Sequence, residues 1–278
     1  MTYREVRMRA AELLKVAGVE NEVAESWFLM EAVCQINRSF YLLHERDVMD
    51  PEQEKAYLDL TEKRCQRMPL QYLTGEQEFM GLPFAVNEHV LIPRQDTEVL
   101  VEEAIQILKN EMPNADVLDL CTGSGCIGTS IQSFCPETKV TGADISEEAL
   151  QVAKHNAMQN QVSVNFIHSD LFSEISGKFD MIVSNPPYIP SKVIDTLMPE
   201  VRDHEPMGAL DGKEDGLYFY QKITEESTAH LNDGGYLLYE IGYDQAEAVS
   251  GFMKEHGFND IKVIRDLAGL DRVVRGRR

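Results

Sequence analysis

The sequence contains no Cys-x-x-Cys pair, and its five cysteines, Cys34, Cys65, Cys121, Cys126 and Cys135, are odd in number. A disulfide framework and a zinc site of the usual spacing are both disfavoured. The seven histidines form no His-x-x-x-His pair and no Asp-rich calcium loop occurs, so no metal is expected. No run of 18 apolar residues exists, and the opening MTYREVRMRAAELL has no apolar stretch leading to a small-residue cleavage site. The expectation is a cytoplasmic protein with no membrane association. Basic residues are also scarce, since 26 Lys and Arg face 47 Asp and Glu and leave a net charge of −21. Residues 1–93 hold 10 basic and 16 acidic side chains, so −6 lies there and −15 in residues 94–278. Proteins that bind by neutralising many phosphates need a cationic face, so direct nucleic-acid binding is not expected. Only Arg275, Arg277 and Arg278 form a local basic cluster, which reads as a solvated tail.

What is present suits a folded chain: 43% of the 278 residues are apolar, with 11 Phe, 10 Tyr and 12 Met. That much apolar surface can offset chain entropy. From Thr2 to about Lys63 apolar residues recur at three- and four-residue spacing, as in Ala10, Leu13, Leu14 and Ala17, then Val23, Trp27, Met30 and Val33. This predicts a bundle of three to four helices over residues 1–70, with Asn21 capping one helix and Pro51 in the first turn of another. In residues 71–93, Gly75, Gly81 and Pro83 among Phe79, Leu82, Phe84 and Val86 predict a β-hairpin joining two domains. In PRQDTE the reading is an extended Pro93 before a helix capped by Asp96. Residues 94–278 alternate short apolar runs with amphipathic stretches. Strands are predicted at Asp116–Leu120, Lys139–Ala143, Ser163–His168, Phe179–Ser184, Gly235–Glu240, Lys262–Arg265 and Arg272–Arg275. The pattern is that of an α/β domain, a mostly parallel sheet covered on both faces.

Directly after the first of these strands comes Asp119-Leu-Cys-Thr-Gly-Ser-Gly-Cys-Ile-Gly128. Glycines at 123, 125 and 128 let the chain turn tightly and aim backbone N–H groups at a ligand near a helix N-terminus. Asp144 ends the next strand, 19 residues after Gly125, where a carboxylate can accept both ribose hydroxyl protons. The pair indicates an adenosine-type cofactor but does not separate NAD from S-adenosylmethionine. Asp170, after the third strand, could accept from an adenine amino group while Leu171 or Phe172 covers the ring.

Asn185-Pro-Pro-Tyr188, 60 residues after Gly125, separates them. Two successive prolines stop the strand and hold the backbone extended. The Asn185 side-chain oxygen and the Pro186 carbonyl then form rigid acceptors for the two hydrogens of a planar –NH₂. Such a nitrogen is a weak nucleophile because its lone pair is delocalised. Holding both hydrogens fixes it and lets positive charge develop as a methyl arrives, with no strong base required. Tyr188 would stack on the flat group. Hydride transfer has no use for two acceptors on one amine, so the nicotinamide reading falls away.

These residues carry a resemblance that runs nearly end to end: QYLTGE, LIPRQDTE, DLCTGSGCIG, Asp144, NPPYI, EPMGALDG, DGLYFY and the closing DLAGLDRVVRGRR. The chain resembles the release factor glutamine N5-methyltransferases. The resemblance implies a seven-stranded, Rossmann-like class I sheet and an N-terminal helical domain that recognises the substrate protein. It implies S-adenosyl-L-methionine as cofactor, S-adenosyl-L-homocysteine as product, and class I peptide chain release factors as partners, methylated on the glutamine of their Gly-Gly-Gln loop. Carried over by position, it places Cys121, Thr122, Gly123, Ser124 and Gly125 at the cofactor's methionine end and Asp144 on ribose. Asp170 and Leu171 would flank adenine, Asn185, Pro186, Pro187 and Tyr188 would hold the glutamine amide, and Arg94 would be a polar strut. Cys121 stands where the family usually has Gly, and Lys213 breaks a commoner Gly-Gly pair. The Asn-Pro-Pro-Tyr sequence by itself also fits an N6-adenine methyltransferase acting on DNA or RNA, and a decayed cofactor-binding scaffold is the non-enzymatic alternative. The acidic charge opposes the first and the intact acceptor residues the second.

Overall fold

The structure, a computed structural model, describes all of residues 1–278. Contacts divide the chain into two compact units, one of residues 1–76 with 198–204, the other of residues 77–197 with 205–278.

The first unit begins with four helices, α1 (Tyr3–Val16), α2 (Glu22–Cys34), α3 (Arg38–His44) and α4 (Pro51–Cys65). Apolar faces at helical spacing bury Val6, Ala10, Trp27, Met30, Tyr41 and Tyr57 against one another. Thr2 and Glu5 close a capping box on α1, and Asp50 caps α4, whose first residue is Pro51. Asn21 occupies the N-cap of α2 but makes no side-chain bond, because its backbone is left-handed at φ 58°. The short α5 (Leu70–Thr74) follows. Leu70–Thr74 is thus helical, and the hairpin proper is shorter than residues 71–93. Arg64 and Arg67 both reach Glu200, at 3.0 and 2.7 Å, which ties residues 198–204 into this unit.

The second unit opens with the hairpin of β1 (Glu76–Phe79) and β2 (Leu82–Ala85). Met80 and Gly81 connect the strands with φ of 54° and 73°, the left-handed pair that a two-residue hairpin turn demands. Helix α6 (Gln95–Glu111) buries Leu100, Val101, Ala104, Ile107 and Leu108. Its N-cap is Arg94, with no side-chain cap, and Asp96 lies inside the first turn. The expected Asp96 cap is therefore corrected: Asp96 lies two positions past the N-cap, inside the first turn, and pairs with Arg272 at 3.1 Å.

Beyond it run β3 (Asp116–Leu120), α7 (Cys126–Phe134), β4 (Lys139–Asp144), α8 (Glu147–Gln159), β5 (Val164–His168), β6 (Phe179–Ser184), α9 (Ser191–Ile194), then α10 (Pro199–Arg202), which belongs to the first unit, and α11 (Tyr218–His230), β7 (Leu231–Glu240), α12 (Ala246–Glu255), β8 (Asn259–Arg265) and β9 (Asp271–Arg277). Seven strands form one sheet in the order β5-β4-β3-β6-β7-β9-β8. The first five are parallel, and β9 runs antiparallel to both its neighbours. All seven predicted strands are present, because runs such as Val117–Leu120 and Met181–Ser184 are buried on both faces. No helix is long and apolar enough to cross a membrane.

The C-terminal arginines are not a solvated tail. They belong to β9, whose Val273 and Val274 are fully buried. Arg275 bonds Glu103 at 2.6 Å and Arg272 bonds Asp266 at 3.1 Å, while Arg277, which reaches Glu111 only at 4.0 Å, and Arg278 are exposed at the end of the strand. Acidic partners from α6 absorb the charge that the linear sequence left unmatched.

Candidate active site

Register brings the predicted residues together. Leu120 at the end of β3 pairs with Ala143 of β4 on one side and Ser184 of β6 on the other. Three adjacent parallel strands therefore end level, and Cys121, Asp144 and Asn185 leave them at the same height. The crossover direction reverses at β3, so a crevice opens there.

The loop after β3 is held from beneath by Asp119, which is fully buried. Its Oδ2 accepts from the Gly128 N–H at 2.9 Å and from the Thr122 hydroxyl. Burial outweighs both bonds and lifts this carboxyl to about 7. The loop turns through left-handed residues, Cys121 at φ 62°, Gly123 at 54° and Gly125 at 76°. Gly125 is required twice over, since a Cβ there would also stand 2.9 Å from Ala153 Cβ. Cys121 takes the same region without being glycine, which explains why glycine would be favoured there. Burial pushes its thiol far up, with Asp144 adding to the effect.

Asp144 receives the Gly123 N–H at 2.8 Å on one oxygen and the Ser146 N–H at 3.0 Å on the other. It thus clamps the glycine loop while both oxygens keep a lone pair for another donor. Burial holds its carboxyl above the usual range despite these bonds. Ser146, not Asp144, caps α8 by accepting from Ala149 N–H at 3.0 Å, a contact worth about 1 kcal/mol.

The Asn185-Pro-Pro-Tyr188 corner is gripped by the chain that follows. Ile189 N–H donates to Leu210 at 3.0 Å, and Gly212 N–H to Ile189 at 2.9 Å. Gln245 Nε2 donates to the Tyr188 carbonyl at 3.1 Å and to that of Gly216 at 3.2 Å. Asn185 Nδ2 donates to Thr97 Oγ1 at 3.4 Å, and the Tyr188 hydroxyl donates to Glu240 Oε1 at 3.3 Å. Glu240 is 2% exposed, and burial raises its carboxyl to about 7.

A cavity of about 510 Å³ opens above the level strand ends, within the usual range for small-molecule sites. Cys121, Thr122, Gly123, Ser124, Asp144, Asp170, Leu171, Asn185 and Pro187 all line it. Gly125, Pro186 and Tyr188 are not in its wall. The Tyr188 ring packs into the core below, tethered through its hydroxyl, and is not displayed as a stacking platform. Phe172 is also withdrawn, stacked on His230 with ring centroids 4.7 Å apart, so the neighbouring wall is Leu171 alone. Arg94 lines the cavity and pairs at 2.7 Å with Glu205, a residue with a buried side chain. Sequence reasoning assigned no role to Thr97, Glu240, Gln245 or Met207–Ala209. EPMGALDG and DGLYFY were the available signal: both contribute wall residues, among them Met207, Gly208, Tyr218 and Phe219.

The sheet order, the glycine loop clamped by an acid from the next strand, and an acceptor corner at the same height define a class I methyltransferase. Comparison with known proteins agrees. Residues 96–200 match the family model of the methyltransferase small domain, and residues 5–75 that of the PrmC N-terminal domain. A Geobacter sulfurreducens protein named release factor glutamine methyltransferase is 42% identical over 277 residues, 99% of this chain and 96% of the relative. One of the same name from Clostridium botulinum is 38% identical over 283 residues, spanning 100% of both chains. A solved methyltransferase from Pyrococcus furiosus, 17% identical, shares the fold with a TM-score of 0.55 over 78% of this chain and 98% of its own. The chain belongs to the release factor glutamine methyltransferase family.

Proposed function

We propose that the protein transfers a methyl group from S-adenosyl-L-methionine to the side-chain amide nitrogen of the glutamine in the Gly-Gly-Gln loop of class I release factors. The observation that supports this most directly is Asn185 in the wall of the same cavity as Gly123 and Asp144, with its Nδ2 already engaged by Thr97. That bond leaves Oδ1 as the free end of the carboxamide.

The wall fits such a cofactor. The lone pairs left on Asp144 suit ribose hydroxyls, Asp170 beside Leu171 suits an adenine edge and face, and Cys121 to Ser124 with Arg94 suit the charged amino-acid end. When bound, the cofactor supplies an electrophilic methyl on a sulfonium and departs as S-adenosyl-L-homocysteine. The chain's own part is to hold the acceptor. Asn185 Oδ1 takes one amide hydrogen; the Pro186 carbonyl takes the other only where the substrate amide reaches past the cavity wall formed by Asn185 and Pro187. Two prolines prevent either acceptor from following the substrate's motion, so the nitrogen stays fixed with its lone pair free of the carbonyl. Charge developing on nitrogen meets these oxygen dipoles, and the proton leaves to water afterwards. The helical unit of residues 1–76 recognises the release factor, a protein-to-protein task that an acidic chain can perform without binding nucleic acid.

The test is incubation with methyl-labelled S-adenosyl-L-methionine and a class I release factor. Label is expected on the Gly-Gly-Gln glutamine and on nothing else. Label that persists when this glutamine is replaced, or that appears on a DNA or RNA adenine instead, overturns the reading.

A further inference from the structure

Asn156, in α8, is fully buried and lies outside the cavity wall. Its carboxamide makes three hydrogen bonds, all to main chain. Oδ1 accepts from the Ala85 N–H at 2.7 Å, while Nδ2 donates to the Ala85 carbonyl at 3.0 Å and to the Ser124 carbonyl at 2.9 Å. The first two bonds imitate a neighbouring strand pairing with the last residue of β2, and the third reaches the glycine loop after β3. Only a carboxamide side chain carries an acceptor and two such donors on one flat group. Its partners are backbone groups of fixed polarity, so the amide can face one way only. Reversed, it would set its oxygen against two carbonyls.

Both segments joined in this way supply the cavity wall. Ser124 lines it directly, and the peptide from Ser124 to Gly125 is held at both polar ends. Asn156 takes its carbonyl, and the Thr122 carbonyl accepts its N–H at 2.8 Å. Ala153, one turn earlier on α8, closes on Gly125 so tightly that a Cβ there would stand 2.9 Å away. On the other side, Ala85 leads into the run that gives the same wall His89, Val90, Leu91, Pro93 and Arg94. Asn160, one turn later on the helix, also holds the hairpin. Its Nδ2 donates to the Pro83 carbonyl at 2.8 Å and to the Asn156 carbonyl at 2.9 Å, and neither bond reaches the glycine loop.

Resting on the reading of Cys121 to Ser124 and Arg94 as the seat of the cofactor's amino-acid end, we propose that Asn156 is a positioning residue for cofactor binding. Its carboxamide sets the spacing between the glycine loop and the run of residues 86–94, the two parts of the wall that meet at that end. Asn156 touches neither cofactor nor substrate, and it makes no bond to the Asn185–Tyr188 corner. Its loss therefore falls on cofactor affinity and spares the transfer step. Asn156→Asp keeps the shape and the oxygen for Ala85, but sets a second oxygen against two carbonyls or, once protonated, offers them a single hydrogen. Asn156→Ala removes all three bonds. Asn160→Ala loosens the hairpin on α8 and leaves the Asn156 bonds in place.

The experiment titrates S-adenosyl-L-methionine and S-adenosyl-L-homocysteine into the full chain well below each variant's thermal midpoint. It also measures release-factor methylation at saturating cofactor, with Asp144→Ala run in parallel. Asn156→Asp and Asn156→Ala are expected to raise both Kd values by at least about 10-fold. Their kcat at saturating cofactor and release-factor KM are expected to stay within about 3-fold of wild type. Asn160→Ala is expected to keep both Kd values within about 3-fold even where its thermal midpoint falls as far as theirs. Wild-type Kd in either Asn156 variant, an equal rise in Asn160→Ala, or a loss confined to kcat would each overturn the proposal. If Asp144→Ala also binds cofactor as wild type does, the reading of the cavity as the cofactor site is what fails. If Asp144→Ala loses affinity and Asn156→Asp does not, only the positioning role fails.

Discussion

Gly212 offers a steric test of how the acceptor corner is held. It has no left-handed backbone to explain it, yet a Cβ built on it would stand 2.7 Å from both Tyr188 Cα and Tyr188 carbonyl carbon, and 2.8 Å from Gly216 Cα. Carbon atoms in contact settle near 3.5 Å or beyond, so in Gly212→Ala the two backbones must part by about 0.8 Å. All three opposing atoms are main chain, and no side chain can rotate away. Tyr188 is three residues from Asn185 across two prolines of fixed φ, so displacement of one passes to the other. A misplacement approaching 1 Å at a reacting centre costs up to about 100-fold in rate. If Gly212 and Tyr188 share the movement, kcat is expected to fall by about 10- to 100-fold, with an overpacking cost of about 1–3 kcal/mol in stability. Asp144 and Gly123 are carried by β4 and by the loop after β3, so cofactor Kd is expected to stay within about 3-fold. Release-factor methylation kinetics, cofactor titration and urea unfolding read these three quantities separately. Gly251→Ala is the control, since Gly251 lies in α12 with nothing within 4 Å of its Cβ position. Unchanged kcat in Gly212→Ala would refute the claim that this contact positions the corner. A parallel loss of cofactor affinity would show a global disturbance instead.

Asn185→Ala is expected to lower kcat by about 100-fold with little change in cofactor Kd, and Asp144→Ala to do the reverse; single-turnover methylation beside cofactor titration distinguishes them. Cys121 holds φ 62°, so Cys121→Gly is expected to fold within about 1 kcal/mol of wild type, whereas Cys121→Val, β-branched in a left-handed position, is expected to lose at least ~2 kcal/mol in urea unfolding. Glu240, raised to about 7, favours its neutral form in the folded chain. It supplies most stability at low pH and loses it as pH climbs toward and through about 7. Glu240→Gln cannot ionise, so its stability relative to wild type is expected to rise by about 2–3 kcal/mol between pH 5 and pH 8; a pH-independent difference would contradict the raised carboxyl.

Much of the architecture was legible because burial on both faces leaves a plain mark. Val117–Leu120 and Met181–Ser184 read as strands for that reason alone, and the level ends of β3, β4 and β6 then placed Asp144 and Asn185 beside the glycine loop. The readings that needed correction concern polar groups. Asp96 looked like a helix cap and Arg275 and Arg277 like a free tail because their partners, Arg272 for the first, Glu103 and Glu111 for the others, lie far away in sequence. Tyr188 looked like a displayed ring because a linear motif does not say that a buried Glu240 holds its hydroxyl.

The chain's order of residues alone decided where the backbone can turn left-handed, where two prolines must end a strand, and which carboxylate follows the second strand of the sheet. These are local matters, set by sterics within a few bonds. Only the folded chain decided which end of the Asn185 amide faces the cavity. That depends on Thr97, 88 positions away in sequence, being packed where its hydroxyl oxygen receives the Asn185 Nδ2 proton at 3.4 Å.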